Sequence, residues 1–286
     1  MRARRFVSRI QHACALSAAK LQADRDDSRH DVLADAGASR WENIAETKRF
    51  AARVLARADR LIAVSNNTRC DAAQILRVPQ ERIEVIHHGV ADEFFYVSPD
   101  ETRAAASKYG LSRPYILFVG TLEPRKNVDT LIDAFLQLPP SIRNDVDLVL
   151  AGAMGWRSQQ LAERLRASIP CVRWLGYVAE NDLAGLTAGA IIFAYPSLYE
   201  GFGLPVAQAM AAGVPVVTSN VSSLPEIAGD AAILVDPKSS LEISASLERL
   251  LLDPSLRQRL AANGVRKASP YRWDACAAFR LRRLTP

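Results

Sequence analysis

Long apolar runs are missing from this sequence. No stretch approaches the ~18 residues needed to cross a bilayer as a helix, although 49% of the chain is hydrophobic. Cysteine is scarce. Cys14, Cys70, Cys171 and Cys276 lie far apart with no CxxC pair, which argues against a disulfide framework or a zinc site and for reduced thiols in a cytosol. The start, "MRARRFVSRIQHACALSAAKL", is basic, but His12 and Lys20 interrupt its apolar part, so it is not read as a signal peptide. Neither GxxxxGK[ST] nor GxGxxG occurs, which removes the P-loop and the dinucleotide fingerprint. No Lys/Arg stripe interleaved with aromatics accompanies the net charge of +5, so a nucleic-acid partner is not expected. Composition bias accounts for that charge, with weak attraction to an anionic membrane surface as the alternative. Repeats, low-complexity tracts and Gly/Ser linkers are also absent.

What is present is an alternation. "YILFVG" (115–120), "VDLVLAG" (146–152), "CVRWLG" (171–176), "IIFAYPS" (191–197), "VPVVTS" (214–219) and "AAILVDP" (231–237) are short apolar runs. Segments of helical spacing separate them: 128–138, 158–167, 180–190, 205–213 and 224–229. Continuous apolar strands alternating with helices imply an α/β fold, a parallel sheet covered on both faces. Six such strands make one complete doubly wound domain over about 115–268. Ligands in such folds sit beyond the carboxyl ends of the strands. Upstream, 41–60 and 67–76 read as helices, and 61–65 and 82–89 as strands. That is the back half of a second α/β domain whose front half is not visible in residues 1–29. The expected division is 1–95, 96–270, and a C-terminal helix over 271–286 returning towards the first domain. An incomplete first sheet would expose an edge and an apolar face, so self-association is expected.

Four loops stand out at strand ends. In "YEGFGLPVAQAMAAG" (199–213), Gly201 and Gly203 permit close backbone approach, Pro205 suits a helix start and Gly213 its stop. The helix N-terminus would aim unpaired N–H groups into the cleft, an anion site. Glu200 sits ahead of it and Gln208 one turn in. A carboxylate beside an anion site suits neutral hydroxyls next to a phosphate, as in a sugar attached to a diphosphate. The alternative is a tight turn in which Glu200 caps backbone N–H groups. In "VGTLEPRKNVDTLIDAF" (119–135), Asn127 reads as an N-cap, and Arg125 and Lys126 lie against a positive dipole end. That placement is unfavourable unless an anion lies between them. A solvated loop pair is the alternative. In "WLGYVAENDL" (174–183), Tyr177 and Val178 either flank a flat ring or pack ordinarily. "SNVSSLPEIAGDAA" (219–232) adds hydroxyls and Glu226, read as a helix-cap residue.

Taken together, "VGTLEPRKN", "GYV…L", "PSLYEGFGLPVAQAMAAGVPVVTSNVSSLPEIAGDAAILVDP", "YRWDACAAF" and "RADRLIAVSNNTRCDA…VPQERIEVIHHGV" resemble retaining glycosyltransferases of the GT-B fold, the glycosyl transferases group 1 or family 4 type. The resemblance runs from about His30 to Phe279. It implies that Glu200, first of a Glu-x7-Glu pair, faces donor-sugar hydroxyls. Its second member is Gln208 here, near the nucleotide ribose and without charge. Lys126 and Arg125 would hold the donor diphosphate. Thr121, after Gly120, stands where many relatives have Arg, which shifts load to Arg125. Tyr177 and Val178 match the base-contacting turn, and Gly201, Phe202, Gly203 and Leu204 the diphosphate-facing loop. "RHDVLADAG" resembles a segment that puts a histidine, His30, in the cleft, with a surface His as the alternative. Of His87 and His88, one is read as structural.

The resemblance further implies a retaining, metal-independent hexosyltransferase with no cofactor. Its nucleoside-diphosphate sugar, GDP-mannose favoured, would be a co-substrate, and a glycan or lipid-linked molecule the acceptor. The setting would be bacterial surface-polysaccharide synthesis, in the cytoplasm or peripherally at the inner face of the membrane. The alternatives are a catalytically impaired nucleotide-sugar-binding remnant and another GT-B activity such as a sugar-nucleotide epimerase.

Overall fold

The computed structural model describes residues 61–277, together with Ala58. The expected helix over 41–60 and the candidate His30 lie outside the described residues. The chain divides into two units, Met1–His87 and His88–Pro286.

In the first unit, β1 (Leu61–Ala63) pairs in parallel with β2 (Ile83–Val85), and α1 (Asn66–Leu76) connects them. Ser65 caps α1 by accepting from the Thr68 amide, which satisfies one of the donors a helix start leaves free. Leu61, Ala63, Ala72, Val78 and Ile83 form a small core.

The second unit opens with α2 (Pro99–Lys108), whose Ser98 and Glu101 form a reciprocal capping box. Six parallel strands follow: β3 (Tyr115–Val119), β4 (Asp147–Ala151), β5 (Val172–Gly176), β6 (Ile192–Tyr195), β7 (Val216–Ser219) and β8 (Ala232–Val235). Between them lie α3 (Val128–Leu136), α4 (Pro140–Arg143), α5 (Gln159–Arg166), α6 (Glu180–Ala188), α7 (Leu204–Ala211) and α8 (Leu224–Ala228). The helices α9 (Ser240–Leu252) and α10 (Pro254–Ala268) come last. Each strand lies within the apolar run that announced it; the four inner strands, β3, β4, β6 and β7, are buried almost throughout and need no polar alternation, whereas the edge strands β5 and β8 are mostly half-buried.

The spatial order is β5-β4-β3-β6-β7-β8. The chain therefore winds outward from β3 in one direction, then crosses over and winds outward from β6 in the other. Right-handed crossovers consequently place helices on both faces. The core centres on Phe118, Phe135, Leu148 and Phe193, none more than 1% exposed. Burying each such side chain contributes about 1.5–3 kcal/mol. The crevice at the point of reversal, between the carboxyl ends of β3 and β6, is where ligands bind in sheets of this kind.

Candidate active site at the β3/β6 switch point

The loop after β3 and the loop after β6 flank this crevice and carry the charged residues that the sequence singled out. Pro124–Lys126 forms one turn of 3-10 helix directly after Glu123. It turns Arg125 and Lys126 towards the neighbouring loop instead of solvent, which excludes the solvated-pair reading. Lys126 is 9% exposed and Glu200 is 8% exposed. Their side chains meet, Lys126 Nζ to Glu200 Oε1, at 2.6 Å. Arg125 Nη1 stands 3.0 Å from the same oxygen. Arg125 Nη2 pairs with Glu123 Oε1 at 2.6 Å, while Glu123 Oε2 accepts from the Trp156 indole at 3.0 Å. The anion that the two cations require is thus supplied by the protein itself.

Two further side chains complete the cluster. The Tyr195 hydroxyl lies 2.9 Å from Glu200 Oε1 and also bonds Lys126 Nζ. Ser197 Oγ donates to Glu200 Oε1 at 2.8 Å. The Tyr195 ring stacks near Phe118 and Phe193 at 5.5 and 6.1 Å, with Lys126 Nζ 5.0 Å from its centroid. All these contacts fall on Oε1. Among the described residues, Oε2 makes no hydrogen bond. Sequence reading placed Tyr195 and Ser197 in a buried strand and missed both as site residues. The only signal was their place in "YPS", at the end of β6.

Electrostatics follow from this geometry. Burial pushes the Glu200 carboxyl up, but the adjacent Lys126 and Arg125 charges, with hydrogen bonds from Lys126 and Ser197, outweigh it and hold the group below its ordinary value. Burial lowers the Lys126 ammonium, and Glu200 offsets this only in part because Arg125 opposes it. Burial also disfavours the charged form of Arg125, yet Glu200 and Glu123 keep its pKa raised. Burial carries the Tyr195 phenol well above its usual range.

The backbone holding Glu200 is pinned from a third loop. The Glu200 amide donates to Ser222 Oγ at 3.0 Å. Ser223 Oγ donates to the carbonyls of Glu200 and Phe202, both at 2.9 Å. Glu200 therefore does not cap a helix, and the hydroxyls expected from 219–232 serve the loop backbone. Gly203 has φ +99°, and a Cβ there would lie 2.7 Å from Leu224 Cδ2. The turn into α7 thus needs glycine twice over, for backbone angle and for space.

Asn127 departs from expectation. It precedes α3 but makes no side-chain cap. It adopts φ +60°, and its amide donates to the carbonyls of Pro196 at 3.0 Å and Pro237 at 2.7 Å. Asn tolerates this left-handed conformation better than most residues, which frees its side chain to tie three strand-end loops together.

The remaining candidates are dispersed. Tyr177 is 77% exposed and Val178 buried, so the turn presents only one of the two side chains. Thr121 is exposed beside a half-buried Gly120. Gly201 and Leu204 are half-buried in the loop. Phe202 is buried, its ring edge-on to His88 at 5.4 Å and to Tyr271 at 5.5 Å. Gln208 is half-buried and lines a small, partly open cavity with Val119, Thr187, Phe193 and Pro205. It takes no part in the hydrogen bonds around Glu200. Among the described residues no cluster of three metal-ligating side chains occurs, and no helix is long and apolar enough to cross a membrane.

Comparison with known proteins identifies the family. Residues 100–267 match the family described as "Glycosyl transferases group 1". The chain belongs to that family. Residues 13–94 match "Glycosyltransferase Family 4", so likeness to the family begins before His30, where the resemblance was expected to start. Over 220 residues the chain is 40% identical to the O-antigen chain mannosyltransferase B of Escherichia coli, covering 76% of this chain and 58% of that protein. It is 32% identical over 247 residues to the MMP alpha-(1->4)-mannosyltransferase of Mycolicibacterium hassiacum, covering 84% and 56%. The chain thus spans little more than half the length of these relatives. The crystal structure of Anabaena HepE in complex with UDP and glucose superposes with a TM-score of 0.75 at 24% identity, over 84% of this chain and 66% of that one. WaaG, described as a glycosyltransferase involved in lipopolysaccharide biosynthesis, gives 0.68 at 24%, over 81% and 64%. These likenesses establish a shared fold, the α/β GT-B class expected from the sequence.

Proposed function

We propose that this chain carries the donor site of a retaining glycosyltransferase. It moves mannose from GDP-mannose to a glycan or lipid-linked acceptor in bacterial surface-polysaccharide synthesis. The observation that carries the reading is the convergence of Lys126 and Arg125 on Glu200 at the β3/β6 crevice. Lys126 has three N–H donors, two of them engaged by Tyr195 and Glu200. Its third, with the guanidinium of Arg125, faces a diphosphate. Glu200 Oε2 accepts from sugar hydroxyls, Gln208 approaches the ribose, and the exposed Tyr177 ring flanks the base. As the anomeric C–O bond breaks, its electron pair passes to the diphosphate oxygen, while an acceptor hydroxyl forms the new C–O bond on the same face and gives its proton to that oxygen. Cations already gathered at the crevice stabilise that charge where it develops. The names of the relatives support mannose and a surface glycan. The net charge of +5 supports peripheral attraction to the inner, anionic face of the membrane.

The test is thermal stabilisation by GDP-mannose, UDP-glucose, UDP-galactose, UDP-GlcNAc and ADP-glucose, followed by transfer assays with the bound donor. A selective shift is expected with GDP-mannose, about 2.7 kcal/mol at a hundredfold excess over Kd. It should be lost in Lys126→Ala together with turnover. Unchanged turnover in that variant would end the diphosphate role. Gln208, uncharged where the family pattern has a second carboxylate, favours a second reading: a chain that binds the donor without transferring it. Stabilisation with no transfer to any acceptor would support that one.

A further inference from the structure

The contacts around Glu200 are lopsided. Oε1 receives hydrogen bonds from Lys126, Tyr195 and Ser197, and Arg125 stands 3.0 Å away. A carboxylate oxygen offers roughly two lone-pair directions. Three donors therefore share one atom, with the Arg125 charge beside it, its Nη1 donating to the Tyr199 carbonyl at 2.6 Å, while Oε2 makes no hydrogen bond among the described residues. The donors also differ in kind. Tyr195 and Ser197 are short, fully buried groups at the end of β6. Lys126 and Arg125 reach Oε1 through long side chains from the opposite loop, and the Arg125 side chain is 31% exposed.

We propose that Glu200 is a displaceable internal counter-anion, holding in place the cations that the donor diphosphate takes over. This rests on the donor-site reading above. An arriving diphosphate competes with Glu200 for Lys126 and Arg125. When they turn to it, Tyr195 and Ser197 still satisfy Oε1, so the carboxylate is never left buried and unpaired, a state that costs several kcal/mol. A nucleotide carrying its sugar brings hydroxyl donors to Oε2, which replace what the cations withdraw. A nucleoside diphosphate without the sugar brings none. Glu200 then reclaims Lys126 and Arg125, and the spent nucleotide is held less tightly than the donor. The same carboxylate that recognises the sugar thus discriminates against the product and speeds its release.

The probe is inorganic pyrophosphate, titrated calorimetrically into the full chain and into Glu200→Gln, with GDP and GDP-mannose as parallel ligands. The amide keeps the shape but cannot hold two cations. Pyrophosphate and GDP should bind Glu200→Gln at least about tenfold tighter than they bind the unaltered protein. The preference for GDP-mannose over GDP should shrink by a similar factor. Equal or weaker pyrophosphate binding by Glu200→Gln overturns the proposal. A second variant keeps the test open if that one fails to fold. Ser197→Ala removes a fixed donor from Oε1, makes Glu200 more dependent on the cations, and should weaken pyrophosphate binding. Unchanged binding there counts against the exchange. Tightened pyrophosphate binding without affinity for any nucleotide sugar would uphold the exchange and sink the donor reading. The reverse pattern would do the opposite.

Discussion

Asn127 Nδ2 lies 2.7 Å from the carbonyl oxygen of Pro237, 110 residues further along the chain. With its bond to Pro196, this one amide joins the loops after β3, β6 and β8. Asn127→Asp replaces the donor with an anion facing two carbonyl oxygens. Stability should fall by about 2–3 kcal/mol. Asn127→Gly, which keeps the left-handed backbone but loses both bonds, should cost less. Urea denaturation of the two variants separates the lost hydrogen bonds from the repulsion of the carboxylate. Equal losses would mean that the carboxylate adds no cost beyond the missing donor.

Tyr195→Phe removes a buried hydroxyl that serves both Lys126 and Glu200. The ring keeps its stacking on Phe118 and Phe193, so the loss of stability should stay near 1–3 kcal/mol. The alkaline limb of activity should move as well, because Lys126 loses a neighbour that accepts from its ammonium. A pH–rate profile identical to that of the unaltered protein would argue that Tyr195 only packs.

Glu200 has a lowered pKa, so its contribution to stability is fully present above the ordinary value of 4.5. It is lost as pH falls through the lower folded value, since the unfolded chain takes up the proton first. The stability gap between the unaltered protein and Glu200→Gln should therefore be wide at neutral pH and narrow on acidification below about pH 4.5. Denaturant midpoints measured from about pH 3 to pH 7 check this. A gap independent of pH would place the carboxylate's effect outside its charge.

Gly152 has φ +148°, and a Cβ there would lie 1.9 Å from the Gly120 carbonyl oxygen. Backbone cannot swing aside as a side chain can. Gly152→Ala should force apart the ends of β3 and β4 and lower the melting temperature by several degrees. Gly176→Ala is the control. It has a positive φ of +70° but nothing within 4 Å of the added methyl, so it should carry only the cost of the backbone angle, about 1 kcal/mol.

The six strands were legible because the inner strands of a parallel sheet, buried on both faces, are written as nearly unbroken apolar runs, and the half-buried edge strands β5 and β8 keep enough of that character. Each lies within a residue or two of its run's edges. Arg125, Lys126 and Glu200 were legible because charges at strand ends, two of them against a helix start, need a reason. Tyr195 was not. An aromatic within an apolar run looks like core, and it is core, yet its hydroxyl projects beyond the strand end into the charge cluster. Asn127 was misread for a related reason. An asparagine before a helix is ordinarily a cap, and nothing local reveals that Pro196 and Pro237 will bring carbonyl oxygens within reach. Gln208 was placed by spacing alone, and spacing along the chain says nothing of which cavity the side chain lines.

The two loops that build the charge cluster follow the innermost strands of the sheet, β3 and β6, and those strands are not consecutive in the chain. On the ribosome β3 emerges, pairs with β4 on one side, and leaves its other edge waiting for β6. The 74 residues between Lys126 and Glu200 take about 4–15 s to synthesise. Throughout that interval one edge of β3 leaves its backbone N–H and C=O groups without a partner strand, and Lys126 is without Glu200. Docking of β6 closes the edge and neutralises the lysine in a single event. The step that completes the sheet is therefore also the step that assembles the charge cluster, and a substitution that slows docking of β6 should show as insoluble chain.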